Sequence, residues 1–231
     1  MLPYFEEEKF QEDISVLENG FHFNVSRSSL QKIGYYYDHR ENRKRASNLI
    51  SKFNKEFKKG LDLFSYVGSW GVNLLGSNCS HITFVDQGNF EVDIEKNLKR
   101  NGFETKGQFI RGDVFKYLKS ANERGEKFDL ICSDPPAFCK SKNEQKKAYE
   151  GYLKLHKEIF KLLERESVFI ACSCTYYIDY DSFEQNVIEA ANLTGRKIQL
   201  LDVGLQGFDH PTEKIINKNT YLKYFAYLVE S

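Results

Sequence analysis

The stretch DLFSYVGSWG, residues 62–71, decides the fold. An apolar run ends there in a turn that contains Gly68 and Gly71. Glycine lets the backbone come close to a ligand, and a helix that starts at such a turn offers free N–H groups. Two glycines are a weaker signal than the full Gly-x-Gly-x-x-Gly pattern, and an ordinary tight turn has the same residues. The stretch therefore predicts a strand, a turn and a helix, and ligand binding is one of two interpretations of the turn.

The same alternation continues along the chain. From about residue 61 onward, short apolar runs alternate with amphipathic helical patterns such as FEVDIEKNLKRNG. Strands that alternate with helices form a mostly parallel sheet covered on both faces. The last two runs are separated by a loop without an obvious helix, so we expect an antiparallel last strand. We predict a Rossmann-like α/β fold with seven strands at 61–67, 81–86, 106–113, 128–134, 167–173, 197–203 and 221–230.

The first 45 residues have a different pattern. The segment EDISVLENGFHFNVSRS indicates a β-hairpin that turns at Asn19 and Gly20, because Asn-Gly favours the positive φ angles of a tight hairpin turn. We predict a small β-rich N-terminal appendage over residues 1–45 and one α/β domain over residues 46–231.

Composition narrows the class of protein. The 231 residues contain no run of about 18 apolar residues, so we expect no membrane span, and the acidic N-terminus is not that of a signal peptide. Five irregularly spaced cysteines fit reduced thiols in a cytoplasmic protein. The formal net charge is zero, yet residues 40–59 hold eight Lys or Arg against two Glu. This basic segment indicates either a nucleic-acid surface or a solvated amphipathic helix.

Acidic residues follow three of the predicted strands. In an open parallel sheet, ligands bind beyond the carboxyl ends of the strands. Asp86 ends the second strand, at the right distance from Gly68 to accept hydrogen bonds from ribose hydroxyls. Asp113 follows the third strand, where it can meet an adenine amino group. Acids on successive strand ends favour a positively charged adenosyl ligand over a dinucleotide, whose pyrophosphate prefers N–H donors.

The fourth strand ends in DPPAFCKSK, residues 134–142. Two prolines stiffen the backbone after Asp134 and remove two N–H donors. The carboxylate and the carbonyl groups there can hold the amide-like edge of a planar base, and Phe138 can stack on its face. The basic segment KSKNEQKK that follows is predicted to be a loop facing the substrate.

The fifth strand ends in Cys172-Ser173-Cys174. A metal site needs further ligands at suitable spacing, and a disulfide across Cys-x-Cys is strained, so both are disfavoured. Cys172 continues the apolar run and is predicted to fill the core. Cys174 lies at the mouth of the strand, where we expect an exposed, stabilised thiolate. Such a thiolate can add to carbon 6 of a pyrimidine and activate carbon 5, with Asp134 assisting at the ring nitrogen.

These motifs resemble the class I S-adenosylmethionine-dependent methyltransferases of the large-subunit ribosomal RNA cytosine-5 type. The matching stretches are QKIGYYYDHRENR (31–43), DLFSYVGSWG (62–71), VD (85–86), GDVF (112–115), KFDLICSDPPAFCKSK (127–142), CSCT (172–175), DHP (209–211) and YLK (221–223). The resemblance implies S-adenosylmethionine as cofactor and RNA, ribosomal in origin, as substrate. It implies Cys174 and Asp134 as catalytic residues and a cofactor pocket lined by Asp62, Phe64, Ser65, Gly68, Asp86, Asp113, Val114 and Asp134. Substrate-binding residues are predicted to be Arg40, Phe138, Lys140 and His210.

The chain departs from the family pattern at three points. A separate RNA-binding domain of the PUA type is not found in this sequence, Ser69 stands at a position where glycine is common, and Thr175 replaces a frequent serine. Three alternatives stay open: methylation of a base nitrogen, which needs no cysteine, a non-catalytic relative that binds RNA or cofactor, and, more distantly, a nicotinamide-dependent enzyme.

Overall fold

The computed structural model describes residues 13–27, 34–139, 141–211 and 220–230. Its strands are β1 Ile14–Glu18, β2 Phe21–Val25, β3 Gly60–Leu63, β4 Ile82–Asp86, β5 Gly107–Arg111, β6 Phe128–Ser133, β7 Leu163–Ser173, β8 Lys197–Gly204 and β9 Lys223–Glu230. Its helices are α1 Arg40–Ile50, α2 Ser69–Leu75, α3 Glu91–Arg100, α4 Val114–Glu123, α5 Gln145–Leu162 and α6 Tyr180–Leu193, with a 3-10 turn at Lys142–Glu144.

Seven strands form one sheet in the order β5-β4-β3-β6-β7-β9-β8. The first five strands in that order are parallel, and β9 is antiparallel to both of its neighbours. The Rossmann-like fold with an antiparallel last strand is therefore confirmed, and each of the seven predicted apolar runs overlaps a strand. Strand order reverses between β3 and β6, and in this architecture a crevice opens at that point.

Side chains of the central strands alternate between two apolar layers. Val168, Ile170 and Cys172 of β7 pack with α1, α2, α3 and the N-terminal hairpin. Phe169 and Ala171 pack on the opposite face with α4, α5 and α6. A central strand has apolar side chains on both of its faces, so the sheet needs an apolar layer on each side. The predicted role of Cys172 as a core residue is confirmed, since its side chain is fully buried.

The N-terminal hairpin turns at Asn19 and Gly20, whose φ angles are 54° and 87°, so the predicted turn is confirmed. The second strand of the hairpin lies along α3, where the Asn24 amide donates to Asn97 Oδ1 at 2.6 Å. The first strand ends in Glu18, which forms a buried ion pair with Arg43 of α1. The domain boundary predicted after residue 45 falls inside α1, which is continuous across that position.

One surface prediction differs from the structure. The segment 140–147 was expected to be a loop, but α5 already begins at Gln145. The three arginines of the basic segment 40–59 each pair with a carboxylate: Arg40 with Asp209, Arg43 with Glu18, and Arg45 with Asp202. Contact of this segment with nucleic acid stays a prediction. Within the described residues, no helix has the length and the apolar character needed to cross a membrane.

Candidate active site

A cavity of about 560 Å³ opens at the carboxyl ends of β3, β4, β6 and β7. Its walls come from the segment 34–43, the loops at 64–70 and 86–90, the turn at 134–137, and Cys174. The predicted site residues that line the cavity are Phe64, Ser65, Asp86, Asp134 and Cys174. The convergence of these strand ends on one cavity is thus observed.

The loop after β3 has an unusual backbone. Phe64 and Tyr66 have φ angles of 61° and 49°, in the left-handed region that non-glycine residues rarely occupy. The amides of Phe64 and Ser65 both donate to Val85 O, at 2.9 and 3.2 Å, and so tie the loop to β4. Local strain of this kind is found at binding sites, where the surrounding structure holds it in place.

Asp62 and the two glycines support the loop from behind and do not line the cavity. Asp62 Oδ2 accepts a hydrogen bond from the Gly71 amide at 2.8 Å, so this amide is not free for a ligand. Burial raises the pKa of Asp62 to about 8. A Cβ atom on Gly71 would lie 2.2 Å from the Phe84 ring, so the close packing of this ring accounts for glycine at the position. Gly68 has a φ of 84° and caps α2.

The Asp86 carboxylate is fixed by two backbone amides. Its Oδ2 accepts from Tyr66 N at 3.0 Å, and its Oδ1 accepts from Gly88 N at 2.8 Å. The ring of Tyr66 makes edge contacts with Tyr36 at 5.2 Å and with Phe90 at 4.8 Å. Aromatic rings beside a fixed carboxylate match the needs of an adenosine, whose ribose offers hydroxyl donors and whose base offers a flat apolar face.

Asp113 and Val114 do not line the cavity. The exposed Asp113 side chain caps α4 by accepting from Lys116 N at 2.9 Å. Val114 is buried in the apolar layer under α4, so packing accounts for an apolar residue at this position. Contact of these two residues with a cofactor stays a prediction.

Asp134 is held by one aromatic N–H group and lies near a second ring nitrogen. Trp70 Nε1 donates to Asp134 Oδ2 at 2.9 Å, and His39 Nε2 lies 3.5 Å from Oδ1. Asn42 Nδ2 lies 3.0 Å from His39 Nδ1, and a bond from the amide to that nitrogen places the imidazole proton on Nε2, facing Asp134. Sequence reasoning missed His39 and Trp70, although both lie in the quoted motifs.

Cys174 forms part of the cavity wall, and its Sγ lies 3.8 Å from Pro135 O. The two residues beside it are anchored, because Tyr152 Oη lies 2.9 Å from Ser173 Oγ and 2.6 Å from Thr175 Oγ1. The expectation of a stabilised thiolate is wrong for this structure. Burial, with the negative charge of Asp134, raises the pKa of the Cys174 thiol to about 12.

Three of the predicted substrate residues, Arg40, Phe138 and His210, lie away from the cavity lining. The partly buried ring of Phe138 packs against the core under α5, and its centroid lies 4.6 Å from that of the Tyr152 ring. Arg40 and His210 both contact Asp209, at 2.6 and 3.2 Å, and form a separate cluster. Lys140 lies outside the described residues.

One group of possible metal ligands occurs among the described residues: His39, Asp134 and Cys172, whose ligand atoms lie within 4.8 Å of one another. Burial raises the pKa of Cys172 to about 11, which opposes the thiolate that a metal requires. The His39 nitrogen nearest Asp134 carries the proton in the tautomer described above. In these protonation states, the Cys172 sulfur and the His39 Nε2 would each have to lose a proton before they could bind a metal ion.

Comparison with solved structures gives the fold. A candidate SAM-dependent methyltransferase from Streptococcus mutans superposes with a TM-score of 0.80 at 23% identity, over 98% of this chain and 57% of that chain. A SAM-dependent methyltransferase from Agrobacterium tumefaciens superposes with a TM-score of 0.70 at 16% identity, over 97% of this chain and 72% of that one. The chain therefore has a methyltransferase fold.

Comparison with curated proteins gives relatives of higher identity. Ribosomal RNA large subunit methyltransferase I of Escherichia coli O1:K1 is 33% identical over 215 residues, which are 92% of this chain and 53% of the relative. The chain thus spans about half the length of the curated relatives it matches. The family described as "Conserved hypothetical protein 95" matches residues 41–180, more than half of the chain, and the chain belongs to this family.

Proposed function

We propose that the protein is an S-adenosylmethionine-dependent methyltransferase that forms 5-methylcytosine in ribosomal RNA through a covalent adduct with Cys174. One observation carries the proposal: the thiol of Cys174 and the carboxylate of Asp134 line the same cavity as Asp86 and an aromatic wall. The name of the Escherichia coli relative supports ribosomal RNA as the substrate. The cytoplasm, where ribosomes are found, is the expected location.

The residues of the cavity fit an adenosyl cofactor. Asp86 accepts two backbone hydrogen bonds, and its remaining lone pairs can accept hydrogen bonds from the ribose hydroxyls. The rings of Tyr66 and Phe90 can flank the adenine. Carboxylates at Asp38, Asp86 and Asp134 attract the positive sulfonium, because unlike charges attract strongly where water is excluded. When bound there, S-adenosylmethionine supplies the methyl group.

The other side of the cavity suits a cytosine ring. Asp134, held by Trp70 and with His39 3.5 Å away, can face the ring nitrogen and the exocyclic amine. Cys174 then adds to carbon 6 and makes carbon 5 nucleophilic. Because the pKa of the thiol is raised to about 12, its proton must leave as the bond to carbon 6 forms. Asp134 can pass that proton to the ring nitrogen.

A methyl-transfer assay tests the proposal. Unmodified ribosomal RNA and labelled S-adenosylmethionine are incubated with wild type, with Cys174→Ala and with the neighbouring core variant Cys172→Ala, and the RNA is digested to nucleosides for mass spectrometry. The expected result is labelled 5-methylcytidine with wild type and Cys172→Ala, and none with Cys174→Ala. A different labelled nucleoside, or full activity of Cys174→Ala, contradicts the covalent mechanism.

The raised pKa of Cys174 favours one alternative, methylation of a base nitrogen. In that case Asp134 and the backbone carbonyl of Pro135 hold an amine for direct transfer, and the thiol is only a packing residue. The same assay then yields a nitrogen-methylated nucleoside whose amount does not depend on Cys174.

A further inference from the structure

Asp38 lies on the cavity wall shared with Cys174, in the segment that leads into α1. Its Oδ1 accepts a hydrogen bond from the His39 amide at 3.1 Å, and its Oδ2 accepts from the Tyr221 hydroxyl at 3.4 Å. The side chain is half-buried, so it reaches the cavity and remains partly solvated. None of the roles assigned so far uses this carboxylate for chemistry.

The Tyr221 contact joins Asp38 to the strand end that carries the thiol. Lys223 Nζ donates to the carbonyls of Tyr221 at 3.0 Å and Thr175 at 2.6 Å. Because Thr175 follows Cys174 directly, these bonds connect the Asp38 side chain to the backbone next to the thiol. The negative charge of Asp38 is also near enough to help raise the pKa of the Cys174 thiol.

The other two carboxylates of the cavity already have assigned roles in the proposed function. Asp86 accepts two backbone N–H groups and is assigned to the ribose, and Asp134 accepts from Trp70 and is assigned to the ring nitrogen. The side-chain donor to Asp38 is the Tyr221 hydroxyl at 3.4 Å, a long and therefore weak hydrogen bond. Asp38 keeps lone pairs for accepting a proton in the cavity that it shares with Cys174.

We propose that Asp38 is the base that removes the carbon 5 proton and so releases the methylated product, an assignment that rests on the proposed function. After methyl transfer, carbon 5 bears a hydrogen and a methyl group, and carbon 6 is bonded to the Cys174 sulfur. An Asp38 oxygen takes the hydrogen as a proton, and the C–H electron pair forms the double bond between carbons 5 and 6. The C6–S bond breaks, its electrons return to sulfur, and Cys174 leaves as the thiolate, which then takes back the proton that the ring nitrogen gained during the addition.

The position of Asp38 suits this step. If the methyl group arrives on the ring face opposite Cys174, the carbon 5 proton remains on the face of the sulfur. The base must then lie on the side of the cavity that carries Cys174, and Asp38 lines the same cavity. The proton on Asp38 afterwards passes to water through the half-solvated side chain, so one proton is released for each methyl group transferred.

The variant Asp38→Asn tests the assignment, since asparagine keeps an acceptor oxygen for Tyr221 or His39 but is not a base. With unmodified RNA and methyl-labelled cofactor, we expect at least about a 100-fold loss of released 5-methylcytidine, typical of a missing base. We also expect a labelled protein–RNA adduct that survives denaturing electrophoresis. The double variant Asp38→Asn with Cys174→Ala should form no adduct. Release at the wild-type rate, or loss of product without adduct, overturns the assignment.

Two comparisons separate this inference from the proposed function. RNA containing 5-fluorocytidine should trap wild type as a stable adduct, because fluorine cannot leave as a proton, and absence of that adduct overturns the covalent mechanism itself. If wild type is trapped but Asp38→Asn accumulates no adduct on unmodified RNA, only the role of Asp38 fails. Asp181→Asn, an exposed carboxylate on α6, serves as the matched control and should release product at the wild-type rate.

Discussion

Trp70 Nε1 donates a hydrogen bond of 2.9 Å to Asp134 Oδ2, which joins the first helix after β3 to the end of β6. The bond spans the point where strand order reverses, so it fixes a carboxylate at the place where this architecture binds ligands. The indole also stacks on Tyr224, with ring centroids 6.1 Å apart and planes at 5°, which leaves Trp70 little freedom to rotate.

Replacing Trp70 with phenylalanine should slow methyl transfer. A hydrogen bond to a charged group contributes about 1.5–3 kcal/mol, which corresponds to about a 10- to 100-fold loss of rate if the bond orients the reacting carboxylate. Single-turnover rates of Trp70→Phe and wild type measure the effect. The control is Tyr224→Phe, which removes a buried hydroxyl without a hydrogen-bond partner and should leave the rate unchanged. Equal rates for wild type and Trp70→Phe would show that Asp134 does not depend on this bond.

The buried ion pair between Glu18 and Arg43 should couple the hairpin to the cavity. Arg43 Nε and Nη2 donate to Glu18 at 2.6 and 2.7 Å, and Nη2 also donates to Tyr36 O at 2.7 Å. Removal of one partner from a buried pair costs about 3–5 kcal/mol, so Glu18→Ala should lower the free energy of unfolding by that amount and weaken cofactor binding.

Urea unfolding and calorimetric titration with S-adenosylmethionine measure the two effects. The matched control is Asp202→Ala, which breaks the more exposed pair with Arg45 and should cost less than about 1 kcal/mol. If Glu18→Ala is as stable as this control, the hairpin does not depend on the ion pair.

The reactivity of Cys174 should respond to the charges around it in opposite directions. The charge of Asp134 raises the pKa of Cys174 and that of Lys223 lowers it. Alkylation follows the thiolate fraction. At about pH 7, Lys223 is still charged, although burial lowers its pKa to about 8. At that pH, Asp134→Asn should speed the reaction of Cys174 with iodoacetamide and Lys223→Met should slow it, each by roughly threefold or more. Peptide mass spectrometry isolates this residue, because the other cysteines are buried. A change of the same sign in both variants would contradict the electrostatic argument.

Part of the site could be predicted from sequence because parallel strand ends converge on one edge of the sheet. Asp86 ends a strand, Asp134 and Cys174 each follow one, and the structure places all three on one cavity. Phe138 was misplaced because the turn after Asp134 directs its ring into the core under α5, a choice that depends on packing.

Other features could not be predicted because they depend on contacts distant in sequence. Asp38 and His39 reach the cavity from a segment that ends no strand of the sheet, and their partners Tyr221 and Asp134 lie far along the chain. The raised pKa of Cys174 likewise follows from burial, which a strand-end position does not specify.

A buried histidine outside the cavity should make the fold sensitive to acid. His156 is fully buried in α5, and its Nδ1 lies 2.9 Å from Asn186 Oδ1, while Nε2 is buried without a hydrogen-bond partner. Burial lowers the pKa of His156 from 6.5 to about 4. Between these values the unfolded chain takes up a proton that the folded chain does not, so the free energy of unfolding falls as the pH drops.

The slope due to His156 should approach about 1.4 kcal/mol per pH unit between pH 6.5 and about 4, and it should vanish above that window. Urea unfolding at pH 7.5, 6, 5 and 4.5 measures it, with His156→Gln compared against wild type. Glutamine can still donate to Asn186 but does not titrate, so the stability difference between variant and wild type should shrink or reverse as the pH falls. The control His22→Gln changes an exposed histidine and should keep the wild-type slope. A parallel pH dependence of wild type and His156→Gln would show that His156 is not the group that couples protonation to unfolding.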